Sequence, residues 1–222
     1  MMEPLSATIF KGPIFEGMTV LKGGDYFCNI GYLHIGREKP IRDGAQKFVD
    51  NLAATGAEEI VCFHEDCYAM LVGKAPDYGI RVPFRPVHLY EYLLDYVKAH
   101  EKQITKLGLK VAHQAPCASR YSRDKDPVLD EIFDRIGVTR VERAYDRRHS
   151  LCCGGPLLSK GDKEQSMKIG QMNLDDAREH GAQALSFLCP MCNQTLRRVC
   201  DSYEMPRHAV SDLCHMALEH TV

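Results

Sequence analysis

The chain has 222 residues, 45% of them hydrophobic and 26% charged, which is the composition of a folded core large enough for one large domain or two small ones. With 28 basic and 30 acidic residues the formal net charge is −2, which gives no reason to expect nucleic-acid or membrane-surface binding. No apolar run approaches the ~18 residues of a membrane span, and residues 1–10 lack the basic start and apolar stretch of a signal peptide, so a cytoplasmic protein is expected.

In chain order, residues 41–55 predict an amphipathic helix with Ile41, Ala45, Phe48, Val49 and Leu52 on one side, stopped by Gly56. Residues 58–63 predict a short buried strand, and 81–87 an extended edge or loop because of two prolines. A long helix over 88–104 precedes a strand over 108–115 and a helix over 127–136, with Pro127 at its start. A strand over 138–144, a long helix over 162–180 ended by Gly181, and a strand over 183–188 entering Cys189 follow. Each of the two long helices offers either a core-packing face or a docking face for a partner protein. This alternation predicts an α/β fold with mainly parallel strands.

The chain also resembles itself at a shift of 125 residues. Gly56-Ala57 falls on Gly181-Ala182, Ile60 on Leu185, Cys67 on Cys192, Leu71 on Leu196 and Tyr78 on Tyr203. Cys28 falls on Cys153, so that Cys28 to Cys67 and Cys153 to Cys192 both span 39 positions. The reading is two related Rossmann-like lobes about a pseudo-twofold axis, over residues 1–104 and 105–222. The competing reading is a shared α/β grammar with a chance cysteine match.

Ten cysteines are the outlier of the composition. In a cytoplasmic chain they point to metal ligands or redox thiols rather than disulfides, and the adjacent pair Cys152-Cys153 bridges to itself only with strain. The C-terminal set is Cys117, Cys152-Cys153-Gly154-Gly155, and Cys189-Pro190-Met191-Cys192. Thiolates are soft ligands that suit iron–sulfur clusters or zinc. Five cysteines exceed by one the needs of a tetrahedral zinc or an ordinary four-iron cubane. Either the cluster is unusual or one cysteine is not a ligand.

These blocks resemble the cysteine-rich CCG domain of the B-type component of heterodisulfide reductase and its relatives. The pattern is a lone cysteine, here led by His113-Gln114-Ala115-Pro116, then Cys-Cys-Gly after 34 intervening residues, then Cys-x-x-Cys after a further 35. The match is strong over residues 108–200 and weak over 24–90. The resemblance implies a noncubane four-iron [4Fe-4S] cluster with Cys117, Cys152, Cys153, Cys189 and Cys192 as ligands. It also implies an oxidoreductase that reduces or forms a disulfide, or another sulfur–sulfur bond, of a thiol substrate. Electrons would come from a ferredoxin-like iron–sulfur subunit and, behind it, a flavin subunit. His113 is the candidate proton donor or cluster hydrogen-bond donor, against an ordinary hydrogen bond at a strand end. The alternatives are a non-catalytic electron-transfer subunit and a zinc-bound structural domain.

The first lobe departs from the pattern. The shift places Phe27 where Cys152 stands and His64 where Cys189 stands, and carries Cys117 ahead of Met1, so a second five-ligand cluster is not expected. Three readings stand for Cys28, His64 and Cys67: buried relics, a second site for zinc or another metal with Cys62 as a further ligand, or the wall of a substrate channel. Arg147, Arg148 and His149 form either a solvated basic loop or an attraction for an anionic thiol, and Cys200 and Cys214 are expected to be buried apolar residues.

Overall fold

A computed structural model describes residues 12–218. Helix α1 (Lys39–Ala53) buries Ile41, Ala45, Phe48, Val49 and Leu52, the stripe its three- and four-residue spacing predicts. Strand β1 (Glu59–Cys62) leads through Phe63 and His64 into α2 (Glu65–Ala69), which runs on through a π-helical turn (Met70–Lys74) into α3 (Ala75–Asp77). Strand β2 (Arg85–His88) pairs with β1 in parallel, Val61 opposite Val87. The proline-containing segment is therefore a strand in a two-stranded sheet, where Pro86 has few ladder bonds to spoil.

Helix α4 (Leu89–Ala99) opens on a capping box in which His88 Nδ1 accepts from Tyr90 N–H at 3.1 Å and Glu91 accepts from His88 N–H at 2.9 Å. It is shorter than the 88–104 expected, ending at His100, whose ring nitrogen turns back to the carbonyl of Tyr96 at 2.9 Å. Strand β3 (Leu109–Gln114) follows, then α5 (Asp126–Ile136). Gly137 ends α5 at φ 72°, a left-handed position open to glycine at little cost, and β4 (Val138–Arg140) starts at once. The short α6 (Gly155–Ser159) and α7 (Lys163–Glu179) lead to β5 (Ala184–Phe187), α8 (Pro190–Ser202), β6 (Arg207–Ala209) and α9 (Val210–Ala217). Of these, strand β6 was not part of the sequence expectation.

The larger sheet has the order β4-β3-β5-β6, all parallel, with Val111 opposite Ala184 and Ala112 opposite Leu185. Successive strand residues face opposite sides. Val111, Val138 and Ala184 join a core with α4, α5 and α9, whereas Ala112 and Leu185 join one with α7 and α8. The α/β expectation holds. A further core unites α1, α2 and the π turn with Cys28, Ile30, Cys62 and Ala118. Helix α4, expected within the first lobe, buries Leu89, Leu93 and Val97 in the core of α5 and α9, which ties the two sheets together.

The connection leaving β3 passes over one face of the sheet and that leaving β5 over the other. The crevice beyond the carboxyl ends of these neighbouring strands is a topological switch point, where parallel α/β sheets place their ligands.

Candidate metal centre

The motif cysteines gather at this crevice. Cys117 follows β3 and Cys189 follows β5, while Cys152 and Cys153 arrive on the long loop after β4. A polar network holds that loop. Gln114, the last residue of β3, donates to the carbonyl of Leu151 at 2.9 Å and accepts from Asn173 of α7. Arg143, with a side chain only 1% exposed, donates to Asn173 Oδ1 at 2.6 Å, to Asp176 at 3.2 Å and to the carbonyl of His113 at 3.0 Å. Asp176 also accepts from the N–H groups of Ala144 and Tyr145. Buried polar groups paired in this way cannot shift separately without leaving a partner unsatisfied. Arg140 adds a bidentate pair to Asp146, at 2.6 and 2.9 Å.

Gly154 has φ 89°, and a side chain there would collide with backbone of Ser166, its carbonyl oxygen lying 2.8 Å from where a Cβ would be. The loop therefore turns tightly against α7, and Gly154 N–H points at Cys152 Sγ, 3.4 Å away. Cys117 Sγ lies 3.7 Å from Cys152 Sγ. Cys153, Cys192 and Cys189 lie close enough that each alters the titration of its neighbour. The sulfurs thus form a connected string rather than scattered thiols.

Their electrostatics follow from those contacts. Donation from Cys117 and Cys153 holds the Cys152 thiol down to about 2, and the same hydrogen bond pushes Cys117 up. Donation from Cys192 lowers Cys189, helped by His64, and raises Cys192. Cys152 and Cys189 are lowered while Cys117, Cys153 and Cys192 are raised, because buried thiolates this close repel one another and only some can ionise together. Ionising all five together calls for a cationic core between them.

Four of the five, Cys117, Cys153, Cys189 and Cys192, line a cavity of about 290 Å³, and Cys152 lines a neighbouring one of about 220 Å³ that shares Cys117. Among the described residues no three His, Cys, Asp or Glu side chains close on one point as a single ion requires. Thiols spread along a wall, with backbone N–H groups aimed at their sulfurs, suit a polynuclear soft-metal core better than one zinc ion.

The other expected residues fall as follows. His113 is buried, its Nδ1 3.0 Å from Ser186 Oγ and its Nε2 3.2 Å from the Tyr90 hydroxyl, and burial with Arg140 and Arg143 nearby pushes its pKa well down. Cys28 and Cys67 are in contact, Sγ to Sγ 3.8 Å, but His64 turns from them to Cys189, its Nε2 3.1 Å from the sulfur. Cys200 and Cys214 are fully buried, as expected. Sequence reasoning missed His34 and Asp66. Asp66 lies 3.1 Å from His34 Nε2 and 3.7 Å from His64 Nδ1, which extends the contact at Cys189 into a chain of polar groups lining the larger cavity. Burial disfavours the charged form of His64, yet the Cys189 and Asp66 charges outweigh it and raise the group to about 10. Arg120 and Arg123 were also missed; they join Arg147 and Arg148 in the smaller cavity. Arg147 is paired to Asp130 at 2.8 Å. No spacing signal marks the two missed arginines, which are brought there by the turn Cys117–Tyr121 and its continuation.

Residues 111–197, which carry all five motif cysteines, match the family model of the CCG cysteine-rich domain. The chain is also similar to the D-type component of the dihydromethanophenazine:CoB–CoM heterodisulfide reductases. It is 26% identical to that of Methanosarcina barkeri over 189 residues, 78% of this chain and 43% of the relative. Identity to the Methanosarcina mazei protein is 26% over 203 residues, covering 88% and 48%. The chain spans less than half the length of these relatives, which carry the D rather than the B designation. Among the described residues no helix is long and apolar enough to cross a membrane.

Proposed function

We propose that this chain is the iron–sulfur subunit of a cytoplasmic heterodisulfide reductase-like complex, with Cys117, Cys152, Cys153, Cys189 and Cys192 holding one noncubane four-iron cluster. The observation that carries this reading is the convergence of all five sulfurs on the crevice beyond β3 and β5. When bound, such a cluster supplies one-electron reduction and a soft iron site for sulfur.

The chain's own residues shape what reaches that site. Phe27, Tyr32, Ile35 and Met191 give the larger cavity apolar walls, which suit the hydrocarbon arm of a thiol. Arg120, Arg123 and Arg148 line the smaller one, beside Cys117 and Cys152, and attract a negatively charged end. The substrate is then a disulfide, or its two thiols, with one apolar and one anionic arm; the relatives' name gives CoB–CoM heterodisulfide as theirs. His64, held by Asp66, fixes the Cys189 sulfur from the opposite lobe. Electrons come from a ferredoxin-like partner subunit and a flavin subunit behind it. We take residues 1–104 and 105–222 as the two lobes.

The test is iron and acid-labile sulfide content, with an electron paramagnetic resonance spectrum, on anaerobically purified protein. About four irons per chain are expected, with a signal that changes on adding thiol, and Cys153→Ala should lose them. Zinc in place of iron overturns the reading.

A further inference from the structure

Outside the motif a second pair of thiols lies in contact. Cys28 stands just ahead of the helical turn Ile30–Ile35, Cys67 sits in α2, and the Cys67 thiol donates to Cys28 Sγ at 3.8 Å. Cys28 is 6% exposed, packed in the core of α1 and α2. Cys67 is partly buried and lines a cavity of about 420 Å³ whose other walls include Val20, Phe48, Leu52, Ile60 and Cys62. This cavity is separate from the crevice of the five motif cysteines.

Two observations decide what this pair can do. A metal site needs three or four donors, but His64, the third member of the expected set, is committed to Cys189. Cys62, the fourth, points its thiol to the carbonyl of Ile60 at 3.8 Å and is held protonated by burial. Of the expected set, two thiols remain with neither other donor turned to them. Their sulfurs are already near van der Waals contact, at 3.8 Å, as two thiols that close to a disulfide must be. Donation from Cys67 also favours the thiolate of Cys28, the form that attacks a disulfide.

We propose that Cys28 and Cys67 are a redox-active dithiol that closes reversibly to a disulfide, with a low-molecular-weight disulfide as oxidant. In closing, the oxidant's S–S bond breaks and the Cys28–Cys67 bond forms. The two protein thiols lose two electrons and two protons, and these appear on the two small thiols released. Excess small thiol runs the exchange backwards. This inference does not depend on the cluster assignment, because neither residue belongs to the motif.

The experiment equilibrates the whole, anaerobically purified chain in glutathione and glutathione disulfide at graded ratios. Acid quench, alkylation and peptide mass mapping follow. The expected result is a peptide containing Cys28 linked to one containing Cys67, with both alkyl labels lost together. The linked fraction should follow a two-electron Nernst curve, about 30 mV per tenfold change in the equilibrium constant, and revert in excess glutathione. Labelling of both cysteines at every ratio overturns the proposal. So does glutathione attached to one of them with no link, or a stoichiometric zinc that blocks labelling until chelated. Iron content measured on the same samples reports the cluster separately, so failure of one reading is distinguishable from failure of the other.

Discussion

Two thiol pairs share one sequence separation: Cys153 and Cys192 line one cavity, and Cys28 and Cys67 are in contact at 3.8 Å. Their surroundings differ. Beside the first pair stand Cys152 and Cys189, with Cys117 close to Cys152. Beside the second, the corresponding positions are Phe27, which is exposed, and His64, which reaches across to touch Cys189, its own counterpart at the 125-residue shift. One half thus gathers five cysteines around its crevice and the other keeps a pair.

The sharpest way to break this comparison is to remove one member of each pair. Cys192→Ala is expected to abolish nearly all bound iron, whereas Cys67→Ala should keep it, both read by iron and sulfide analysis. Equal loss in both variants would mean that the two halves hold one shared centre. A second, smaller effect tests the loop that separates them. Arg143→Ala leaves Asp176 buried without its cationic partner and frees the loop that carries Cys152 and Cys153. A cost of about 3–5 kcal/mol is expected from breaking a buried pair, measured as a fall in denaturant midpoint.

The smallest effect concerns the junction of the two sheets, where Lys125 Nζ lies 2.7 Å from Glu91 of α4. Partial burial works against the Glu91 carboxylate, but Lys125 and the His88 N–H outweigh it and hold the group below its ordinary 4.5. The folded state then binds fewer protons than the unfolded one around that pH. The stabilisation is present above about 4.5 and is lost as pH falls through the depressed folded value. Glu91→Gln should therefore be less stable than the wild type near neutral pH, and the gap should close in acid. Thermal melts at several pH values check this, and a gap that stays constant would assign the loss to the helix cap alone.

Much of this was legible along the chain. The stripe of α1 and the strand 58–63 follow from local periodicity, and the short strand after Gly181-Ala182 was readable to within a residue or two. The five motif cysteines could be picked out because their blocks keep a fixed order and spacing. Less readable was α4, whose amphipathic pattern continues past Ala99 although the helix stops at His100. Strand β6 was missed because its three residues hold too little pattern to detect.

The sequence alone determined the element types, the parallel α/β class and the soft-ligand character of the C-terminal half, since each rests on neighbours a few positions apart. Tertiary structure decided which groups meet. It turned His64 from Cys28 and Cys67 to Cys189, set His113 between Ser186 and Tyr90, and brought Arg120 and Arg123 beside Cys117 and Cys152. Such contacts depend on how sheets and helices pack across long sequence separations, and a side chain's direction at a strand end or turn is settled by that packing rather than by its neighbours in the chain.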